Sequence, residues 1–186
     1  MKNPSLAKNF SIMQINIYNK FYNEYFTGKE FQDTFSKSLD LLKNRKRIFF
    51  VGNGGSNSIC SHMMEDYAKI GKFQAFTFSD PAFITCYSND YGFDNAMKEW
   101  LEVYFEKGDL LVAISSSGSS ENILNAVEKA QEKGGDVLTL SGFSSDNKLR
   151  AKGNLNYYLE VENYGVVECF HQVILHAMLD EYALNK

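Results

Sequence analysis

Apolar and aromatic positions recur at helical spacing through the first forty-odd residues: Phe10, Met13, Ile17 and Phe21, then Phe31, Phe35, Leu39 and Leu42. Steps of three and four place them on one helix face. Gly28 breaks the register, so residues 5–44 predict two helices in a hairpin. Beyond that point the period changes. Short β-rich runs at 47–51, 73–78, 110–114, 136–140 and 156–161 have helical stretches at 57–69, 94–105, 121–132 and 166–184 between and after them. The runs IFFVG and LLVAI are apolar without alternation, as strands buried on both faces are. Strands that alternate with helices need crossover connections, which gives a parallel sheet covered on both sides. The expected fold is a three-layer α/β/α sandwich with a five-stranded parallel sheet. It forms one domain over 1–186, with the helical hairpin at 1–45 and the sandwich at 46–186.

Composition narrows the function classes. The chain has 186 residues, of which 44% are hydrophobic and 23% charged, the balance of an ordinary globular domain. Acidic residues outnumber basic ones 23 to 19, which argues against the basic face that nucleic acid needs. Three cysteines without close spacing, Cys60, Cys86 and Cys169, do not read as a disulfide framework. No apolar run approaches the roughly 20 residues of a membrane span, and the polar first thirty residues contain no leader-like apolar core. The expectation is a cytoplasmic protein with neither a nucleic-acid nor a membrane partner.

In a parallel sheet, ligands bind where loops leave the carboxyl ends of strands, and two such loops are unusual. Gly52-Asn53-Gly54-Gly55-Ser56 follows IFFV and precedes a helix. Glycine lets backbone approach an anion closely, and a helix N-terminus presents free N–H groups. Ser115-Ser116-Ser117-Gly118-Ser119-Ser120 stands between LLVAI and the next helix and offers hydroxyl donors. A glycine-rich turn can be only a turn, and a serine only an N-cap. Two of them after comparable strands point to phosphate binding. With neither GxGxxG nor GK[ST], a sugar phosphate suits the pair better than a nucleotide.

Titratable groups cluster in two further segments that hold all three histidines. His62 and Asp66 are four apart and share a helix face, with Glu65 about 100° around. Glu168, His171 and His176 fall in the last helix. Such groups bind zinc or exchange protons, though lone helical histidines are more often structural. Glu168 and His176 are separated by about 12 Å of helix rise, which makes a single metal shared by both difficult within one chain.

Taken together, the GNGGS loop with His62, the run Ser88-Asn89-Asp90-Tyr91-Gly92 and the ISSSGSS loop resemble the sugar isomerase (SIS) domain family, in particular its phosphoheptose isomerases. The resemblance implies a flavodoxin-like sandwich, a homotetramer with its N-terminal helices in the contacts and active sites where subunits meet, and one zinc per subunit. It implies conversion of D-sedoheptulose 7-phosphate to D-glycero-D-manno-heptose 7-phosphate through an enediol, on the route to surface-polysaccharide heptoses. Residue by residue it implies substrate contacts from Asn53, Gly54, Gly55, Ser56, Asp66, Asn89, Asp90, Ser115, Ser116, Ser117, Ser120 and Glu168. Metal ligands would be His62, Asp66, Glu168 and His176, and Asp66 and His176 would be catalytic. The chain departs from the family by carrying Asp66 for a glutamate, Glu168 for a glutamine and Ile70 for an arginine. Those departures keep open an isomerase of another sugar phosphate, its pocket reshaped by Met63, Met64 and Tyr67. They also keep open a non-catalytic member that binds a sugar phosphate or a protein such as a replication initiator.

Overall fold

The structure is a computed structural model that describes the backbone of residues 4–185 and side chains from residue 15 onward. Phe10 and Met13 of the N-terminal periodicity lie outside the described side chains. The chain divides into two compact units, Met1–Asp33 and Thr34–Lys186. The first holds α1 (Pro4–Phe26) and the opening turn of α2 (Lys29–Lys43). Around Gly28, Phe31 packs edge-on to Phe26 with ring centroids 4.9 Å apart and against Tyr25 at 5.4 Å. The division falls inside α2, while the change from helices to strands comes between Lys43 and Arg47. The reason is that α2 from Thr34 onward packs as part of the second unit. Ser38 and Leu42 are buried there, and the Ser38 and Tyr157 hydroxyls lie 2.9 Å apart.

The second unit is built on β1 (Arg47–Gly52), β2 (Gln74–Thr77), β3 (Leu110–Ser115), β4 (Asp136–Gly142) and β5 (Leu155–Leu159). All pair in parallel, in the order β2-β1-β3-β4-β5. The connecting helices are α3 (Gly55–Lys69), α4 (Pro81–Tyr91), α5 (Phe93–Tyr104), α6 (Glu121–Glu132) and α7 (Tyr164–Leu184), with a 3₁₀ turn at Lys148–Ala151. Successive residues of β1 point to opposite faces. Phe49 and Val51 join Trp100, Leu101, Ile123 and Val127 in the core under α5 and α6. Phe50 meets Tyr67 of α3 edge-on at 5.2 Å, on the opposite face. The doubly covered parallel sandwich expected from the sequence is the one observed. Among the described residues, no helix is long and apolar enough to cross a membrane.

One element was not anticipated. α4 starts at Pro81, with the Asp80 carboxylate accepting from the Ala82 and Phe83 amides. It carries Asn89 and Asp90 in its last turn, in a stretch for which the sequence reading gave no helix. Gly92, at φ 77°, then redirects the chain into α5.

Candidate functional site

Strands β1 and β3 are neighbours in the sheet, and the helices that follow them, α3 and α6, cover opposite faces. The loops after them therefore part, and open a crevice at the topological switch point. Both loops found in the sequence lie there. A cavity of about 150 Å³ is lined by Asn53 and Ser56 from the first and by Ser115, Ser116, Ser117 and Ser120 from the second, with Tyr164 and Glu168 from α7. Two mutual amide bonds of 2.9 Å between Asn53 and Asn122 tie the glycine loop to the first turn of α6. Ser115 and Ser120 hydroxyls lie 3.3 Å apart. The buried Ser116 hydroxyl has no hydrogen-bond partner. Hydroxyls and the α6 N-terminus thus face one small space, an arrangement that suits an oxyanion.

Gly118 holds the serine loop in a left-handed turn at φ 61°, tight against the Asn147 side chain. Gly55 lets α7 approach: a Cβ there would lie 2.5 Å from both Glu168 carboxylate oxygens. From this contact a seam runs down α3 and α7. Gln172 Nε2 is 3.0 Å from His62 Nδ1, His62 Nε2 is 3.3 Å from Asp66 Oδ2, and His176 Nδ1 is 3.7 Å from the same oxygen. The two imidazoles meet edge-on, 5.1 Å between centroids. One ligand atom from each of His62, Asp66 and His176 falls within 4.8 Å of the others.

Three of the four expected metal ligands come together within this chain. His62, Asp66 and His176 converge, and Glu168, two turns earlier on α7, lines the serine cavity. Glu65 is exposed and does not join the group, which leaves Asp66 as its carboxylate. Asn89 and Asp90 are exposed on α4, bonded to each other at 2.9 Å, and do not line the serine cavity. Met63 and Tyr67, suggested as pocket-shaping, are buried in the core, and the Tyr67 hydroxyl donates to the Leu175 carbonyl.

Sequence reasoning missed Asn122, Gln172 and the part played by His171. Asn122 and Gln172 act across helix pairs that only the tertiary packing brings together. His171 is wholly buried, and desolvation drives its pKa down to about 4, so the ring is neutral. Its Nε2 lies 3.3 Å from the Ser141 carbonyl at the carboxyl end of β4. Ser141 is in register with Ser115, and the next amide, that of Gly142, donates to the Ser116 carbonyl. His171 thereby braces the strand that supports the serine loop.

Known proteins resemble this chain in sequence and fold. The family model for the SIS domain matches residues 29–142. A phosphoheptose isomerase of Fusobacterium nucleatum is 30% identical over 174 residues, 90% of this chain and 88% of that protein. One from Cytophaga hutchinsonii is 34% identical over 142 residues, 70% of this chain and 73% of its own length. Among solved structures, a phosphoheptose isomerase from Francisella tularensis superposes with a TM-score of 0.81 at 25% identity, covering 98% of this chain and all of that one. One from Neisseria gonorrhoeae reaches 0.85 at 24% identity over 95% of this chain and 99% of its own, a likeness of fold. The family model spans both loops and the relatives extend over most of the chain: the chain belongs to the SIS domain family, among its phosphoheptose isomerases.

Proposed function

We propose that this chain is a sugar-phosphate isomerase that interconverts D-sedoheptulose 7-phosphate and D-glycero-D-manno-heptose 7-phosphate, with the serine cavity holding the phosphate and the His62–Asp66–His176 group moving protons. The observation that carries the reading is that both features lie on the same pair of helices, two turns apart. From Ser56 to His62 the axis of α3 rises about 9 Å, and from Glu168 to His176 that of α7 rises about 12 Å. A seven-carbon chain has six carbon–carbon bonds of about 1.5 Å each. Its carbonyl end therefore reaches the level of the histidines when its phosphate lies among the serines. A three-carbon phosphate falls short.

Aldose–ketose isomerisation moves one proton between adjacent carbons and one between the attached oxygens. The Asp66 carboxylate beside His176 Nδ1 favours the tautomer with hydrogen on that nitrogen, which leaves Nε2 with its lone pair. In the proposed sequence Nε2 takes the proton from C1 of the ketose and returns it to C2 of the enediol. Asp66, through its other oxygen, carries the hydroxyl proton from O1 to O2. No net proton is gained or lost.

Two imidazole nitrogens and one carboxylate oxygen are also a donor set that suits zinc with a position left open. His62, Asp66 and His176 would hold one ion per subunit. Bound there, zinc would polarise the sugar oxygens as a Lewis acid. His176 cannot ligate through Nδ1 and accept a proton at Nε2 together, because a neutral imidazole with Nδ1 occupied keeps its hydrogen on Nε2. Its two roles belong to different stages. Gln172 supports the ligand role of His62. Its carboxamide, turned so that the oxygen faces Nδ1–H, leaves Nε2 directed to Asp66.

The proposal extends to a cytoplasmic homotetramer. The exposed rings of Phe83, Tyr91, Phe93 and Tyr104 form a surface that such an assembly would cover, and the three unpaired cysteines suit a reducing compartment. The test of the catalytic assignment is His176→Ala. Turnover should fall by roughly 10²–10⁴-fold while sugar-phosphate binding is kept. Undiminished turnover would remove His176 from the mechanism.

A further inference from the structure

The residues with which α7 meets the site follow one another at steps of four: Tyr164, Glu168, Gln172 and His176. Tyr164 and Glu168 line the serine cavity, Gln172 meets His62, and His176 meets Asp66. Tyr164 opens the helix, about 6 Å along its axis from Glu168 and about 18 Å from His176. It therefore bounds the cavity at the end away from the histidines. Helical side chains lean toward the N-terminus, so its ring extends past the start of α7. There Phe143, in the loop after β4, meets it edge-on with ring centroids 4.7 Å apart.

Phe143 sits at φ 62°, a left-handed conformation that bulky residues rarely adopt. Such a backbone persists only where its surroundings over-determine it, and here they do. The Tyr158 hydroxyl donates to the Phe143 carbonyl at 2.9 Å. The Arg150 guanidinium lies 4.0 Å from the Tyr158 ring centroid and donates to the Ser145 carbonyl. The Asn147 amide donates to the Gly142 and Ser144 carbonyls, and the same side chain backs Gly118 of the serine loop. One loop thus supports both the serines and the ring of Tyr164.

We propose that Tyr164, braced by Phe143, is a specificity-determining wall at the phosphate end of the site: it stops the phosphate from moving beyond the serine loop and so limits the length of ketose phosphate that can place its carbonyl at the histidines. The inference rests on the sugar-phosphate reading and deepens it, because it names the feature that sets the upper limit of chain length. A ketose phosphate with one more carbon adds a bond of about 1.5 Å and pushes its phosphate against the ring.

The experiment is steady-state turnover of sedoheptulose 7-phosphate and of an eight-carbon ketose 8-phosphate by the wild type, Tyr164→Phe, Tyr164→Ala and Phe143→Gly, with folding checked by circular dichroism. The wild type should favour the seven-carbon substrate in kcat/KM, and Tyr164→Ala should lower that preference on the order of tenfold or more. Tyr164→Phe keeps the ring and should keep the ratio. Phe143→Gly removes the brace in a residue that accepts φ 62° without strain, and should lower the preference in the same direction. An unchanged ratio in folded Tyr164→Ala, or in Phe143→Gly if the alanine variant does not fold, overturns the inference. A loss of preference in Tyr164→Phe equal to that in Tyr164→Ala also overturns it, because the hydroxyl and not the ring would then discriminate. Conversion of neither substrate by any of the proteins, wild type included, would instead remove the sugar-phosphate isomerase reading itself.

Discussion

Acid should weaken this fold through one identifiable ring. His171 is fully buried, and its pKa is about 4 against an ordinary 6.5, chiefly through desolvation, with the hydrogen bond to the Ser141 carbonyl opposing. Because the folded-state value lies below the unfolded one, the unfolded chain binds the extra proton first. Stability is therefore unaffected well above pH 6.5 and is lost as pH falls through the window from 6.5 to 4. At 1.36 kcal/mol per pKa unit the full loss is about 3 kcal/mol, of which about 2 kcal/mol has gone by pH 5. That is a large part of the 5–15 kcal/mol typical of a domain. The assay is urea unfolding of the wild type and of His171→Gln at pH 7.5, 6 and 5. Glutamine keeps an N–H donor for the Ser141 carbonyl and cannot titrate. The wild type should lose stability relative to the variant as pH drops, at up to about 1.4 kcal/mol per unit. A constant difference across the three pH values would refute the reasoning, since a ring that protonates in place has no such pH-dependent cost. The serine loop should feel the same change, because His171 braces β4 beside it.

Two glycines make opposite predictions. Gly118→Ala places a side chain at φ 61° against Asn147, whose amide is committed to the Gly142 and Ser144 carbonyls. It should cost about 1–2 kcal/mol for the backbone alone and raise KM, both readable by denaturation and steady-state kinetics. Gly55→Ala meets only the free end of Glu168, so thermal denaturation should show a loss under about 1 kcal/mol, the carboxylate having swung aside. Gln172→Leu should weaken zinc binding about 10- to 100-fold in a chelator competition with little change in the melting temperature. Equal affinity would deny Gln172 its orienting part.

Much of the fold was legible because the parallel strands carry unbroken apolar runs, which only burial on both faces explains. The serine and glycine loops were legible for a related reason: their composition is unusual directly after two such runs. α4 was missed because its sequence PAFITCYSNDY has no apolar stripe and none of its residues is buried. The signal it did offer, aspartate before proline at a helix start, is local and easily read as a turn. The metal group was partly legible, since His62 and Asp66 are one helical turn apart. The placement of Glu168 hung on the packing of α3 along α7. The contact through Gly55 sets it in the serine cavity. Asn53 with Asn122 and His62 with Gln172 are 69 and 110 residues apart in the chain, beyond any spacing argument.

The most direct test of the central claim is proton NMR of the purified protein with sedoheptulose 7-phosphate in D₂O, with and without added zinc. The account predicts the appearance of the aldose phosphate with deuterium at C2, because the proton taken at C1 passes through a histidine that exchanges with solvent. Neither conversion nor exchange under either condition, in protein that binds the sugar phosphate, would contradict it.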